Sequence, residues 1–192
     1  SHASDSPPPP PPSHPATHGV LRFLCELDGE TIVSCIPEIG YMHRAFEKSA
    51  EKGTYTEVIP YTDRLNYCSA AMNNVGYCLA VEEFFGIKLP ERGVFIRMML
   101  CEISRIMDHL VCIGASSVDL GALTNFWYFF QIREEFYDLV EAYCGARLTT
   151  TATRIGETVG DLPEGWIDRL KVLLAKFPLV LAEVDGLLRH NR

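Results

Sequence analysis

The sequence has no run of about 18 consecutive apolar residues, the minimum for a membrane-spanning helix. It has no excess of basic charge. Against 25 Asp+Glu stand 17 Lys+Arg, a formal net charge of −8, which argues against a nucleic-acid binder with its basic face. There is no CxxC pair among its seven cysteines, at 25, 35, 68, 78, 101, 112 and 144, so the chain supplies no thiolate cluster for zinc or iron–sulfur. Their odd number, and a place in apolar runs such as Met98-Met99-Leu100-Cys101, read as buried free thiols of a reducing compartment. No signal-type apolar segment, Arg-rich lead or internal repeat stands out. What is present is material for a core. A hydrophobic content of 47% over 192 residues excludes global disorder and suits one domain, or a domain with an appendage.

Residues 1–13 contain an unbroken proline run from Pro7 to Pro12, which favours polyproline II and predicts an exposed arm. Asp28-Gly29 lies between the apolar runs 20–27 and 30–36 and predicts a two-residue hairpin turn, with strands covered on both faces. Residues 38–62 predict a short helix and loops. Asp63 is placed to cap a helix that runs to about Phe85 and stops at Gly86. Pro90 opens a helix from Glu91 to about Ile113, and a third helical region spans about Asp119–Cys144. A last helix runs from about Pro163 to Leu188, with a kink expected near Lys176 from Pro178. The expected fold class is α+β, mainly α: the arm at 1–13, a β-hairpin and loop region at 14–62, and a bundle of long helices at 63–192.

Three groups of residues carry candidate chemistry. His14 and His18 stand four apart on a Pro/Gly-bounded loop before the first strand, where they could contact a ligand or simply be solvated. Tyr67 opens a helix and could pack or donate its hydroxyl. Asp119 is a carboxylate between Val118 and Leu120, either a helix cap or a group whose charge needs a partner.

Taken in order, HPATHGVLR, IGYMHRAFEK, YTDRLNY, LAVEEFFGI, EISRIMDHL, DLGALTNFWYFF, RIGE and DLPEG closely resemble the quinone-site subunit of respiratory complex I, the homologue of the [NiFe]-hydrogenase large subunit. The resemblance runs from about Ser13 to Arg192 and implies the hydrogenase-large-subunit-like fold. It implies that His18 and Tyr67, with His14 nearby, hold the headgroup of ubiquinone by hydrogen bonds to its carbonyl oxygens, and that Asp119 relays protons to the histidine. It implies a terminal [4Fe-4S] cluster ligated by a neighbouring subunit and lying close to Arg64 and Arg44, the latter a methylation site in the family. The partners implied are other complex I subunits: the cluster-bearing quinone-module subunit and the membrane-arm subunit at the quinone entrance. The location implied is peripheral, on the matrix side of the mitochondrial inner membrane or the cytoplasmic face of a bacterial one.

Three positions depart from the family pattern. Pro11-Pro12-Ser13 replaces a Gly-Pro-Gln lead, Asn66 replaces a carboxylate in the DRxDY motif, and Thr149 stands where the family has a histidine near the cluster. Threonine cannot titrate near neutral pH. His109 is the nearest alternative titratable candidate, though its helix position suits packing. The stop at Arg192 reads as a naturally split subunit whose C-terminal half is a second polypeptide, with a fragment of a longer subunit as the alternative. The expected role is therefore one half of a core NADH:ubiquinone oxidoreductase subunit. The alternatives are an architectural subunit that has lost the chemistry and a hydrogenase-type large subunit, which needs two cysteine pairs.

Overall fold

The computed structural model describes residues 21–190 and divides into two compact units, one ending at Ala45 and one beginning at Phe46. In the first, strands β1 (Arg22–Asp28) and β2 (Thr31–Glu38) form an antiparallel hairpin. Its two-residue turn is Gly29-Glu30, one position later than expected, because Asp28 stays in the ladder opposite Thr31. Gly29 takes the positive φ of 63° at the first turn position, the type II′ arrangement that suits strand twist. A bulge between Glu26 and Leu27 shifts the register. Phe23, Leu27, Ile32, Val33 and Ile36 are exposed, so the expected cover on both faces is not seen among the described residues. The cysteines correct a second expectation: Cys25, Cys35 and Cys112 are exposed, and Cys78 is the buried one of the seven.

The second unit is helical. Residues 46–62 hold two helices, α1 (Phe46–Ala50) and α2 (Tyr55–Thr62). The start of α2 is a capping box: the Glu57 amide donates to Thr54 Oγ1, and the Thr54 amide donates to Glu57 Oε2 at 2.6 Å. Asp63 is the C-cap of α2, not the N-cap of the next helix. A 3-10 turn (Tyr67–Ser69) leads into α3 (Ala70–Phe85), which stops at Gly86 as expected. Next, α4 (Glu91–Asp119) runs six residues past its expected end, and α5 (Leu123–Cys144) begins after a turn at 120–122. The cause is Gly121. Its φ of 87° is open to a residue without Cβ, and it closes α4 with the Ala122 N–H on the Ser117 carbonyl and its own N–H on the Val118 carbonyl, both at 2.8 Å.

Helix α5 therefore folds back along α4. Leu100, Ile103, Met107 and Leu110 of α4 pack against Phe129, Ile132, Phe136 and Leu139 of α5. A small hairpin, β3 (Thr153–Arg154) and β4 (Glu157–Thr158), precedes α6 (Trp166–Arg189), which adds Trp166, Leu170 and Leu173 to the same core. Trp166 donates its indole N–H to the Leu139 carbonyl at 2.8 Å, so the largest core side chain is also satisfied. Helix α6 continues through Pro178. Among the described residues no helix is long and apolar enough to cross a membrane.

Candidate functional site

The DRLNY segment is the most firmly tied part of the site. Asp63 is 1% exposed, and its Oδ1 accepts from Arg64 Nη1 at 2.7 Å, while the same guanidinium nitrogen bonds the Pro60 carbonyl at 2.5 Å. Asp63 Oδ2 is buried with no hydrogen-bond partner. Burial pushes the Asp63 carboxyl above its ordinary range, and the charge and hydrogen bond of Arg64 only partly oppose this. Asn66 then fixes the turn. Its side-chain N–H donates to Ser69 Oγ at 2.8 Å and to Asp108 Oδ2 of α4 at 3.2 Å, and its carbonyl accepts from Asn73 of α3 at 3.0 Å. Tyr67, the next residue, is 47% exposed on this pinned turn, and Arg64 is exposed three residues before it.

A second set of bonds ties the segment to the loop that carries Thr149. Thr62 Oγ1 lies 2.8 Å from Asn74 Oδ1, and Asn74 donates to the Thr150 carbonyl at 2.8 Å across the core. The structure thus brings Asp63, Arg64, Tyr67 and the 149–150 loop onto one hydrogen-bonded scaffold. Thr149 itself is half-buried.

Asp119 is not beside that turn. As the last residue of α4 it lies roughly 16 Å along the helix axis from Asp108, at 1.5 Å per residue. It is exposed next to exposed Leu120, with exposed Leu123 and Trp127 following on α5. Arg44 is exposed and belongs to the first unit. His14 and His18 lie outside the described residues.

Comparison with known proteins now bears on these features. Residues 119–192 match the family model for the respiratory-chain NADH dehydrogenase 49 kDa subunit. The chain is a homologue of that 49 kDa subunit over part of its length. Over 180 residues, 94% of this chain, the sequence is 52% identical to an NADH-quinone oxidoreductase subunit of Bdellovibrio bacteriovorus, covering 32% of that protein. It is 49% identical to an NADH-quinone oxidoreductase subunit of Myxococcus xanthus over 94% of this chain and 43% of that protein. With the corresponding protein of Campylobacter jejuni subsp. doylei the identity is 48%, over 93% of this chain and 44% of that protein. The chain spans a third to somewhat under a half of these bacterial relatives.

Within this 49 kDa-subunit homologue, two features escaped the sequence reading. Arg97 and Glu82 form a buried ion pair between α4 and α3, with Nη2 to Oε1 at 2.6 Å and Nη1 to Oε2 at 2.9 Å. Arg97 Nη2 also donates to the Arg154 carbonyl at 2.6 Å, and Glu82 Oε1 accepts the Gly156 N–H at 2.6 Å, so the RIGE hairpin is clamped to the helices. Burial raises the Glu82 carboxyl, but the Arg97 hydrogen bond, the Gly156 N–H and the Arg97 charge outweigh it and hold it below the usual range. A cavity of about 420 Å³ opens between the helices here, lined by Leu79, Ile87, Val94, Met98 and the ion pair, and among the described residues none of the predicted site residues lines it.

The second feature is Arg133, buried with its guanidinium over the rings of Tyr137 at 4.5 Å and Phe130 at 5.2 Å and its Nε without a hydrogen-bond partner. It stands near Cys68, whose thiol is pushed up by burial, eased by Arg133 and reinforced by Asp108. Cys68 is therefore held as a neutral thiol beside Tyr67. An arginine inside an apolar run was the signal available at 97; Arg133, followed by Glu134-Glu135, carried none. Among the described residues no three His, Cys, Asp or Glu side chains converge as metal ligands.

Proposed function

We propose that this chain forms one wall of the quinone-reduction site of NADH:quinone oxidoreductase, complex I, and takes part in coupling that reduction to proton translocation. One observation carries the reading: an exposed tyrosine, Tyr67, on a turn fixed to two helices through Asn66, Asp108 and Asn73, in a homologue of the 49 kDa subunit. Quinone reduction places negative charge on two carbonyl oxygens and requires two protons. A phenol held in place beside one carbonyl stabilises that charge without reorganising. His18 serves the other carbonyl, with His14 nearby on the same loop, and Asp119 holds or passes the proton that the histidine needs. The exposed apolar residues around Asp119 suit the lipophilic face of ubiquinone.

Electrons reach the site from a [4Fe-4S] cluster held by a neighbouring subunit. This chain contributes exposed Arg64 toward it, and Arg44, in its methylated or plain form, serves the same anionic neighbour. The partners are the cluster-bearing subunit, the membrane-arm subunit at the quinone entrance, and the part of the subunit outside these 192 residues, which completes the cavity. The chain sits peripherally, on the matrix side of a mitochondrial inner membrane or the cytoplasmic side of a bacterial one.

The test is Tyr67→Phe in the assembled complex. Loss of one donor to a developing oxyanion costs about 3 kcal/mol, roughly a hundredfold in rate. NADH oxidation by an artificial acceptor should be unchanged. Short-chain quinone reduction at the wild-type rate would remove Tyr67 from the site and leave an architectural subunit.

A further inference from the structure

We infer that Cys25 and Cys35 are a redox-modification site, a reversible cross-strand disulfide that staples the N-terminal hairpin. The two residues are directly opposite in the β1–β2 ladder, and their sulfurs are 3.6 Å apart, with the Cys25 thiol donating to Cys35. Opposite residues of an antiparallel pair have Cα atoms about 4.5–5.5 Å apart, inside the range of about 4.4–6.8 Å that a disulfide spans. Closing the sulfurs to about 2.05 Å therefore takes side-chain rotation and a small approach of the strands. Both thiols are exposed, so an oxidant reaches them, whereas Cys78 in the core is sealed. By the strand alternation, Phe23 and Pro37 lie next to the pair on the same face, while the Ser34–Glu26 hydrogen bond at 3.1 Å lies on the other. In the dithiol form the hydrogen bond from Cys25 raises the Cys35 thiol above its ordinary value, with burial and the Cys25 charge adding to it.

The oxidant is a peroxide. One thiol, as its thiolate, takes an oxygen from hydrogen peroxide, giving a sulfenic acid, and the first water leaves. The second sulfur attacks the sulfenic sulfur, the S–S bond forms, the S–O bond breaks and the second water leaves. Two electrons pass from the two sulfurs to the peroxide, and both thiol protons end in water. The turn between the strands is short, and a lone two-stranded hairpin is marginal in water, so the staple acts on a segment with little stability of its own.

The experiment exposes the chain, in the assembly with which it purifies, to hydrogen peroxide, alkylates the remaining thiols and digests with trypsin. Cleavage after Arg22 and Arg44 gives one peptide that contains these two cysteines and no others. The expected product is that peptide with no alkyl groups and two hydrogens fewer, restored to the doubly alkylated form by dithiothreitol. Amide exchange across Arg22–Glu38 should slow by about a hundredfold in the oxidised form. Cys35→Ser, which keeps the size of the side chain, should abolish the product and leave Cys25 alkylatable. The inference fails if the peptide stays doubly alkylated at a peroxide level that already oxidises exposed Cys112. It fails equally if Cys25 and Cys35 appear as sulfinic acids or in links to other chains.

Discussion

Replacing Arg97 with methionine tests how this fold is held together. The methionine keeps the apolar stem but strands Glu82, a carboxylate almost fully buried between α3 and α4. Removing one partner of a buried pair costs about 3–5 kcal/mol, because the remaining charge stays desolvated. The hairpin β3–β4 also loses its anchor on the Arg154 carbonyl. Its turn packs closely on the helix side: Gly156 has φ 76°, and a Cβ there would stand 2.9 Å from Ile87 Cγ2. Amide exchange measured by mass spectrometry on peptides covering 153–159 should therefore accelerate by roughly two to three orders of magnitude, at about 1.4 kcal/mol per tenfold. Glu82→Leu with Arg97→Met should recover part of the loss, since an apolar pair carries no stranded charge. Acid should mimic the defect in the wild type. The Glu82 carboxyl is depressed in the folded state, so its contribution is complete above the unfolded carboxyl value of about 4.3 and disappears as the pH falls through the folded value. Wild-type exchange rates at 153–159 in Arg97→Met would refute the clamp.

Asp63 works in the opposite sense: its carboxyl is raised in the folded state, so the wild type loses stability as pH rises from about 3.9 through the folded value. Asp63→Asn should match or exceed the wild-type melting temperature at neutral pH, with the difference closing in acid, and parallel profiles would contradict the burial argument. Thr149→His places a titratable group on the loop tied to Asn74, so if the proposed cluster of the neighbouring subunit lies there, its midpoint potential in the assembled complex should gain pH dependence between about 6 and 8. A redox titration followed by EPR reads it, and a wild-type slope already near one proton per electron would remove the premise.

The elements themselves were legible in the sequence because their signals are local. Gly86 and Pro90 bracket the α3–α4 connection, the apolar runs flanking Asp28-Gly29 mark β1 and β2, and the ordered motifs point to the NADH-quinone oxidoreductase relatives that comparison found. The capping box at Thr54 and Glu57 is equally local, and it starts α2 in a stretch whose mixed composition suggests mostly loop. The end of α4 lies beyond its expected place because the helix runs through Gly114, which is buried beside Phe126 and Phe129, and the stop depends on the left-handed Gly121 eight residues after Ile113. Asp63 changed ends for a similar reason: an aspartate can flank a helix at either terminus, and the following turn at Asn66 decides which. What no pattern could show is which charges meet. Glu82 finds Arg97 on another helix, and Arg133 settles on the rings of Tyr137 and Phe130 instead of a carboxylate. The same holds for Asp119, placed far along α4 from the Tyr67 turn, and for Cys25 opposite Cys35. Local sequence fixes backbone conformation through φ, capping and periodicity. The partner of a buried charge or a thiol is chosen only when helices and strands pack, because desolvation makes the cost of an unpaired group depend on everything around it.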